Sequence, residues 1–274
     1  MPRVLALSSH VAYGSVGLAA IMPALQALGH EVVALPTIVL SNHPGHASYA
    51  GEQVAPATLE RILDSLDANG WLPAVDAVLT GYLPSAAHVD LALSTCERVR
   101  AANAGALLVC DPVLGDAPGG LYIDEAAATA IGRSLMPLCD LATPNAFELA
   151  WLSRLPVESV NGAVAAARAL DVAAVLATSV PASDDRLATL LVGETEAQAC
   201  FVPRRPTAPH GTGDLLAALY LGHVLNGVAP DASLARAVAA VEASIAASTG
   251  RDELSLAAAG AIWAQAAGLP TVTL

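Results

Sequence analysis

Short apolar runs alternate along this chain with segments of helical spacing, and this alternation limits the fold more than any other feature. The apolar runs lie at residues 3–8, 30–40, 74–82, 105–116, 138–145 and 172–180. The helical patterns lie at residues 14–29, 55–70, 85–104, 124–136, 145–153, 161–170, 214–226, 232–249 and 255–267. Such alternation predicts an α/β fold: a mostly parallel central sheet flanked by helices on both faces. Residues 186–193 and 197–203 are predicted to add an antiparallel pair.

Polar residues gather where the predicted strands end. In open parallel sheets, ligands bind outside the carboxyl ends of the strands, so these clusters mark the candidate site. They comprise Ser8-Ser9-His10, the loop 41–49, Thr80-Gly81-Tyr82, Asp111 to Asp116, Thr143 to Glu148, and Thr178-Ser179.

The stretch "HGTGDLLAAL" places two glycines and a carboxylate at the start of an apolar helix. The first turn of a helix has unpaired N–H groups and a partial positive charge, and glycines let a phosphate approach it closely. Asp214 would oppose a phosphate unless it accepts the proton of an attacking hydroxyl, which is general-base chemistry. The alternative is a glycine-rich turn in which Asp214 caps the helix.

Carboxylate and amide side chains follow two further strands, in "CDPVLGD" and "TPNAFEL". The oxygen atoms of Asp111, Asp116, Asn145 and Glu148 suit Mg²⁺ or a monovalent cation beside phosphates. Turn and capping chemistry would explain the same residues. His43 and His46 share one loop, but a zinc site would need two more ligands, and none is evident nearby in the sequence.

The composition excludes several classes of protein. The chain has no lysine, which rules out a Walker A loop, a lysine Schiff base with pyridoxal phosphate and the lysine-based protein-kinase site. A net charge of −13 argues against nucleic-acid binding. No continuous apolar run reaches the roughly 20 residues of a membrane-spanning helix, and four scattered cysteines favour reduced, buried thiols. We therefore expect a cytoplasmic protein with one domain over residues 1–274.

Taken in order, the motifs resemble those of the pyridoxal (vitamin B6) kinase branch of the ribokinase-like superfamily. They are "SSHVAYGSVG", "LPTIVLSNHPGH", "TGYL", "DPVLGDAPGGLYI", "TPNAFELAWL", "ATSV" and "HGTGD", and they cover nearly the whole chain. The resemblance implies a ribokinase-like fold with small lid elements. It also implies ATP and Mg²⁺, often with K⁺, a B6 vitamer as the small-molecule substrate, and a homodimer.

The resemblance also implies roles for individual residues. Asp214 would be the catalytic base, and the N–H groups of Gly211, Thr212 and Gly213 would form the anion hole. Substrate contacts would come from Ser9, His43, His46 and Tyr82. The expected ATP-binding residues are Asp111, Asp116, Tyr122, Asn145, Glu148, Thr178 and Ser179. The expected metal-site residues are Asp111, Thr143, Glu148 and Thr178.

One departure affects the expected substrate. Many relatives have Thr where this chain has Pro44, so a hydroxyl contact to the substrate is missing, and a subgroup with Pro includes kinases of broader pyridine or pyrimidine range. We expect phosphorylation of the 5′-hydroxymethyl group of pyridoxal, pyridoxine or pyridoxamine. The alternatives are a hydroxymethylpyrimidine kinase of thiamin synthesis and a non-catalytic B6-binding protein. A nucleotide-dependent oxidoreductase is disfavoured because "SSHVAYGSVG" lacks the G-x-G-x-x-G spacing.

Overall fold

The computed structural model describes residues 1–205 and 207–274, and a ten-stranded sheet dominates it. The strands of this sheet and of a separate two-stranded hairpin are β1 (Arg3–Val11), β2 (Glu31–Leu40), β3 (Gly51–Gln53), β4 (Ala77–Thr80), β5 (Leu107–Cys110), β6 (Gly115–Asp116), β7 (Gly120–Leu121), β8 (Leu141–Ala142), β9 (Ala174–Ser183), β10 (Arg186–Val192), β11 (Ala197–Pro203) and β12 (Thr271–Thr273).

The order of the large sheet is β12-β11-β10-β9-β8-β5-β4-β1-β2-β3. Strands β2, β1, β4, β5, β8 and β9 pair in parallel, whereas β3, β10, β11 and β12 add antiparallel edges. The predicted mostly parallel sheet is confirmed, and so is the antiparallel pairing of β10 with β11. All six parallel strands bring their carboxyl ends to one edge.

The helices lie close to the positions that the periodicity predicts. They are α1 (Leu18–Ala27), α2 (Pro56–Ala68), α3 (Ala86–Ala102), α4 (Glu125–Ala130), α5 (Ala146–Ser153), α6 (Val160–Arg168), α7 (Thr212–Leu225), α8 (Pro230–Ala247) and α9 (Leu256–Trp263). A π-helical turn, Ile131–Leu135, and a 3₁₀ turn, Met136–Leu138, extend α4.

Strand β1 shows how the sheet is covered on both faces. Val4 and Ala6 belong to the core with α1, α7, α8 and α9, whereas Leu5 and Leu7 belong to the core with α2, α3 and α4. Side chains alternate across a strand, so an unbroken apolar run is what a sheet buried on both sides requires. The predicted placement of helices on both faces is therefore confirmed.

Helix α7 has no polar face over most of its length. Every residue from Leu215 to His223 is buried, because the helix packs against both α1 and α8. A helix that is apolar on all sides is held rigidly by its neighbours. The core therefore holds the body of α7 from Leu215 onward, and Asp214 lies in the first turn just before it.

The start of the chain differs from the sequence prediction. Strand β1 runs to Val11 rather than stopping near residue 8, and α1 begins at Leu18 rather than residue 14. The N–H groups of Ala12 and Tyr13 donate to carbonyls at the end of β2 and just after it, which prolongs the pairing. Gly17 then adopts φ 56°, which an α-helix cannot accommodate. The edge strands β3 and β12 were not predicted, because three residues are too few to show a period.

Within the described residues, no helix has both the length and the apolar character needed to cross a membrane. The four cysteines are buried and unpaired in the described part of the chain.

Candidate active site

The amino terminus of α7 lies among the loops that follow the parallel strands. Gly211 caps the helix in the left-handed region, with φ 90°, and a Cβ there would lie 1.8 Å from the carbonyl oxygen of Ser15. Only glycine fits this position. A Cβ on Gly213 would meet nothing within 4 Å, so the first turn faces open space. The predicted anion turn is thus an accessible helix terminus beside the 14–17 loop.

Asp214 lies in the first turn of α7 and is partly buried. Loss of solvent raises its pKa from 3.8 to about 6, although the backbone N–H groups of Gly17 and of Asp214 itself lower it. A carboxylate with a pKa near 6 is ionised at neutral pH but binds a proton more readily than an ordinary aspartate. Its properties are those of a general base.

Ser9 lies at an irregularity in β1, beside Gly17. The pairing of β1 with β2 shifts register between Ser8 and His10, and His10 forms an antiparallel bridge with Gly17. A Cβ on Gly17 would lie 2.3 Å from the Ser9 hydroxyl oxygen. Gly17 also donates its N–H to the Asp214 carboxylate, so it contacts both groups, and glycine is needed there for space as well as for its φ.

Tyr82 is held beside the same strand end. Its N–H donates to the buried Ser8 hydroxyl at 3.2 Å, and its carbonyl accepts from the Thr37 hydroxyl at 2.7 Å. Gly81 approaches Ser8 so closely that a Cβ would lie 2.4 Å from that hydroxyl oxygen. The half-buried Tyr82 ring therefore stands on a backbone tied to both β1 and β2.

Two buried carboxylates follow β5 and β8. Asp111 is 7% exposed and Glu148 is 3% exposed. Burial, and next the negative charges of Glu148 and Asp214, raise the pKa of Asp111 well above its ordinary value. Burial also raises the pKa of Glu148 to about 7, although three backbone N–H groups lower it. Asp111 therefore lies within electrostatic reach of two other carboxylates, those of Glu148 and Asp214.

The side chains of Glu148 and Asn145 are already engaged by the backbone. They form a capping box at the start of α5: Glu148 Oε2 accepts from Asn145 N–H at 2.8 Å, and Asn145 Oδ1 accepts from Glu148 N–H at 3.0 Å. Glu148 Oε1 also accepts from Leu114 N–H at 2.7 Å, and Asn145 Nδ2 donates to the Gly115 carbonyl at 2.8 Å. The alternative that Asn145 and Glu148 cap a helix is therefore correct. Direct contact of Asn145 with ATP stays a prediction.

The capping box supports the hairpin of β6 and β7, which carries Asp116 and ends beside Tyr122. Asp116 is exposed, and Tyr122 is 50% exposed. Partial burial, and next the nearby Asp116, raise the pKa of Tyr122. That this hairpin is one of the small lid elements implied by the motifs stays a prediction. Contacts of Asp116 and Tyr122 with ATP stay predictions.

Thr178 and Ser179 lie inside β9 rather than after it. The pairing of β9 with β10 is irregular there, and Ser179 has φ 56°. Val113 has φ 43°, which is unusual for a β-branched residue. Backbone held in such regions is concentrated at functional sites, and both positions border the carboxyl edge of the sheet. Nucleotide contacts by Thr178 and Ser179 stay predictions.

The loop 41–50 is held over the site by residues that the sequence analysis missed. His46 Nε2 lies 2.9 Å from Glu253 Oε1, and the ring of His43 stacks on that of His210 with centroids 3.8 Å apart. Burial, and next His210, lower the pKa of His43. Pro44 is exposed at the tip. His210 adjoins the "GTGD" motif and could have been noticed, but nothing in the sequence distinguishes Glu253.

The oxygen atoms after β5 and β8 have the chemistry that suits Mg²⁺. Besides Asp111 and Glu148, the buried Thr143 hydroxyl lies close enough to the Asp111 carboxylate to lower its pKa. Hard cations prefer oxygen ligands, and a cation would offset the repulsion between the carboxylates. The described residues contain no group of three or more His, Cys, Asp or Glu side chains that could hold a metal ion. Phosphates and water would have to supply the other ligands.

The sequence of this chain is similar to those of known proteins. The sequence model of a family described as phosphomethylpyrimidine kinase matches residues 13–256. A pyridoxal kinase of Deinococcus radiodurans is 36% identical over 256 residues, which cover 89% of this chain and 86% of the relative. A pyridoxal kinase of Leifsonia xyli is 35% identical over 245 residues, which cover 87% of each chain.

The structure of this chain is also similar to solved structures of pyridoxal kinases. A pyridoxal kinase of Leishmania donovani, solved in complex with ADP and pyridoxamine, superposes with a TM-score of 0.94 at 27% identity and full coverage of both chains. Since the family model spans most of the chain and relatives above 30% identity cover more than four-fifths of it, the chain belongs to the phosphomethylpyrimidine kinase family, together with bacterial pyridoxal kinases.

Proposed function

We propose that the protein transfers the γ-phosphoryl group of ATP to the 5′-hydroxymethyl oxygen of pyridoxal, pyridoxine or pyridoxamine. The observation that carries this proposal is Asp214, a carboxylate of raised pKa in the first turn of α7, which shares the neighbour Gly17 with the Ser9 hydroxyl. Its bacterial relatives include pyridoxal kinases, and a pyridoxal kinase of the same fold was solved with ADP and pyridoxamine.

Asp214 acts as the general base. It accepts the proton of the 5′-hydroxyl as that oxygen attacks the γ-phosphorus and ADP leaves. A raised pKa suits this task, because the base must be ionised before the reaction and able to hold a proton afterwards. A non-catalytic B6-binding protein would not need a carboxylate held there against the cost of its burial.

The glycine turn stabilises the charge on the transferred group. The N–H groups of Gly211, Thr212 and Gly213 belong to the cap and first turn of α7, and the positive end of the helix dipole adds to them. Because α7 is packed on all sides, these donors need little rearrangement during the reaction.

The ring of the substrate lies near the end of β1. Ser9 offers a hydroxyl that can donate to or accept from the ring nitrogen or ring hydroxyl. The half-buried Tyr82 forms one side, and the 43–46 loop, with His43 and His46, covers the other. Pro44 at the tip of that loop offers no hydroxyl, which makes this side of the pocket less polar.

The phosphates of ATP lie over the ends of β5, β8 and β9, near Thr178, Ser179 and the hairpin that bears Asp116 and Tyr122. Asp111, with Glu148 and Thr143, would hold Mg²⁺, and Thr143 and Thr178 would help to hold K⁺. A divalent cation supplies charge neutralisation of the phosphates. Asn145 and Glu148 keep the backbone of residues 114–115 in place for this purpose.

A second candidate is phosphorylation of hydroxymethylpyrimidine, because the matching family model bears the name phosphomethylpyrimidine kinase and Pro44 removes a polar contact to the ring. Both reactions use a primary alcohol on a heteroaromatic ring. They need the same base and the same anion turn.

The test is to measure kcat/KM with ATP for pyridoxal, pyridoxine, pyridoxamine and hydroxymethylpyrimidine, following phosphorylated products by mass spectrometry. We expect at least one pyridine to be the best substrate. Turnover of hydroxymethylpyrimidine alone would select the second candidate, and binding of pyridoxal without any phosphoryl transfer would select the non-catalytic one.

We also infer a single functional domain, a homodimer and a cytoplasmic location. The main sheet includes strands from Arg3–Val11 to Thr271–Thr273, which supports one domain. Buried, unpaired cysteines fit a reducing compartment. Light scattering on the purified protein would test the dimer.

A further inference from the structure

Glu253 joins two loops of the site that are far apart in the sequence. It lies between α8 and α9, with its side chain only 12% exposed. Oε1 accepts from His46 Nε2 at 2.9 Å, and Oε2 accepts from the N–H of Ser15 at 3.0 Å. A Cβ on Gly14 would lie 2.5 Å from Oε2, so glycine at position 14 gives the carboxylate room to reach Ser15.

The contact with Ser15 leads to the anion turn. The carbonyl oxygen of Ser15 lies against Gly211, where a Cβ would be 1.8 Å away. The Ser15 hydroxyl also donates to the Leu254 carbonyl at 2.9 Å, and the His210 N–H donates to the Asp252 carbonyl at 3.2 Å. The segment around Glu253 thus holds both His210, which precedes Gly211, and Ser15, which packs against it.

The contact with His46 leads to the loop that covers the ring pocket. That loop has a second attachment, the stacking of His43 on His210, and Gly45 N–H donates to His43 Nδ1 at 3.1 Å. Within the loop, His46 is the residue whose side chain binds Glu253. Removing either partner should leave the stacking of His43 on His210 as the remaining side-chain attachment of the 43–46 segment in the described part of the chain.

We propose that Glu253 is a positioning residue: through His46 it holds the 43–46 segment over the substrate ring, and through Ser15 it holds the 211–214 turn. This inference rests on the proposed kinase function. Glu253 does not touch the reacting atoms. Its two carboxylate oxygens couple substrate affinity, which depends on the loop, to phosphoryl transfer, which depends on the turn.

The two contacts predict different kinetic effects. His46→Ala should raise KM for pyridoxal about tenfold, the value of one charge-assisted hydrogen bond, and leave kcat within about twofold. Glu253→Ala should raise KM similarly and also lower kcat about tenfold, because the turn loses its support. The double variant should behave like Glu253→Ala alone, since both changes remove the same contact. KM for ATP should stay within about twofold of wild type in all three.

Glu253→Gln should restore much of the activity. Its amide oxygen can accept from Ser15 N–H, and its amide nitrogen can donate to a neutral His46 ring. The matched control is Glu31→Ala, which breaks the Arg3–Glu31 ion pair at the opposite edge of the sheet. It should leave every kinetic constant unchanged.

Limited proteolysis tests the attachment of the 41–50 loop without relying on catalysis. Tyr49 in the 41–50 loop is 56% exposed, and chymotrypsin cleaves after tyrosine. Cleavage at Tyr49 should be faster in His46→Ala and Glu253→Ala than in wild type or Glu31→Ala. If Glu253→Ala does not fold, His46→Ala and Glu253→Gln still give both readouts.

The inference is overturned if Glu253→Ala folds with unchanged KM for pyridoxal and unchanged Tyr49 cleavage. It is also overturned if the His46 and Glu253 effects add, or if KM for ATP rises as much as KM for pyridoxal. If wild type prefers hydroxymethylpyrimidine, the same constants are measured with that alcohol. Wild type that phosphorylates neither alcohol refutes the proposed function instead, and the inference falls with it.

Discussion

Replacing Asp214 with asparagine separates its catalytic role from its cost to stability. The amide keeps the size of the side chain but cannot take the proton of the alcohol. We expect kcat to fall by about 10²–10⁴, the usual contribution of a general base. ATP binding should persist, because the N–H groups of the turn remain.

The raised pKa predicts the pH dependence of the wild type. Transfer needs the ionised carboxylate, so kcat/KM should fall as the pH drops below about 6, by about tenfold for each further pH unit. The residual kcat/KM of Asp214→Asn should not show this decrease at low pH.

The same shift predicts that the variant is more stable at neutral pH. Burial raises the pKa of Asp214 from 3.8 to about 6, which corresponds to about 3 kcal/mol of lost stability at pH 7, where the group is ionised in both states. Removing the charge should recover about 1–3 kcal/mol, since water in the open cleft relieves part of the cost. The gain should shrink to about half by pH 5 and vanish below the unfolded-state pKa, where the carboxyl is neutral in both states.

The assay combines single-turnover transfer of labelled phosphate with urea unfolding at pH 7 and pH 5. Asp140→Asn is the matched control: Asp140 Oδ2 accepts from Arg100 at 2.6 Å and from Leu108 N–H at 2.8 Å, at the amino-terminal edge of the sheet. That variant should lose stability and keep kcat. Near-normal turnover by Asp214→Asn would refute the assignment of the base, and equal stabilisation at both pH values would refute the account of the pKa.

Three other predictions concern binding and covalent chemistry. Ser9→Ala should raise KM for the vitamer by about 2–10-fold with little change in kcat, because one hydrogen bond of about 0.5–1.5 kcal/mol is lost before and during transfer; unchanged constants for every alcohol would make Ser9 only a strand-end residue. Glu148→Gln should raise KM for ATP, since its amide nitrogen cannot accept from a backbone N–H and the support of residues 114–115 weakens; ATP titration measures this, and an unchanged KM would contradict the bracing role. Replacing all four cysteines with Ala or Ser should leave kcat within a few-fold, because all four thiols are buried. Burial raises the pKa of Cys96 to about 12 and that of Cys200 to about 11, which disfavours a reactive thiolate. A single cysteine variant that folds but has no activity would reveal a covalent step.

Local pattern was enough to predict the fold class and the edge that carries the site. Apolar runs between helical segments leave few arrangements other than a parallel sheet covered on both faces, and parallel strands bring their carboxyl ends together. The glycines and carboxylate of "HGTGD" likewise identify a helix start without any tertiary information. These features are encoded within about ten residues of each position, so the sequence alone determined them.

The fine geometry of the site was decided by contacts between distant segments. Gly17 packs against the Ser9 hydroxyl and donates its N–H to Asp214, and the carboxylate of Glu253 links Ser15 to His46. No local period encodes such contacts, because each depends on how loops from separate elements pack after the sheet has formed. For the same reason, His46 could be predicted as a site residue, while its partner became evident only when the folded chain brought the segment after α8 against the loop after β2.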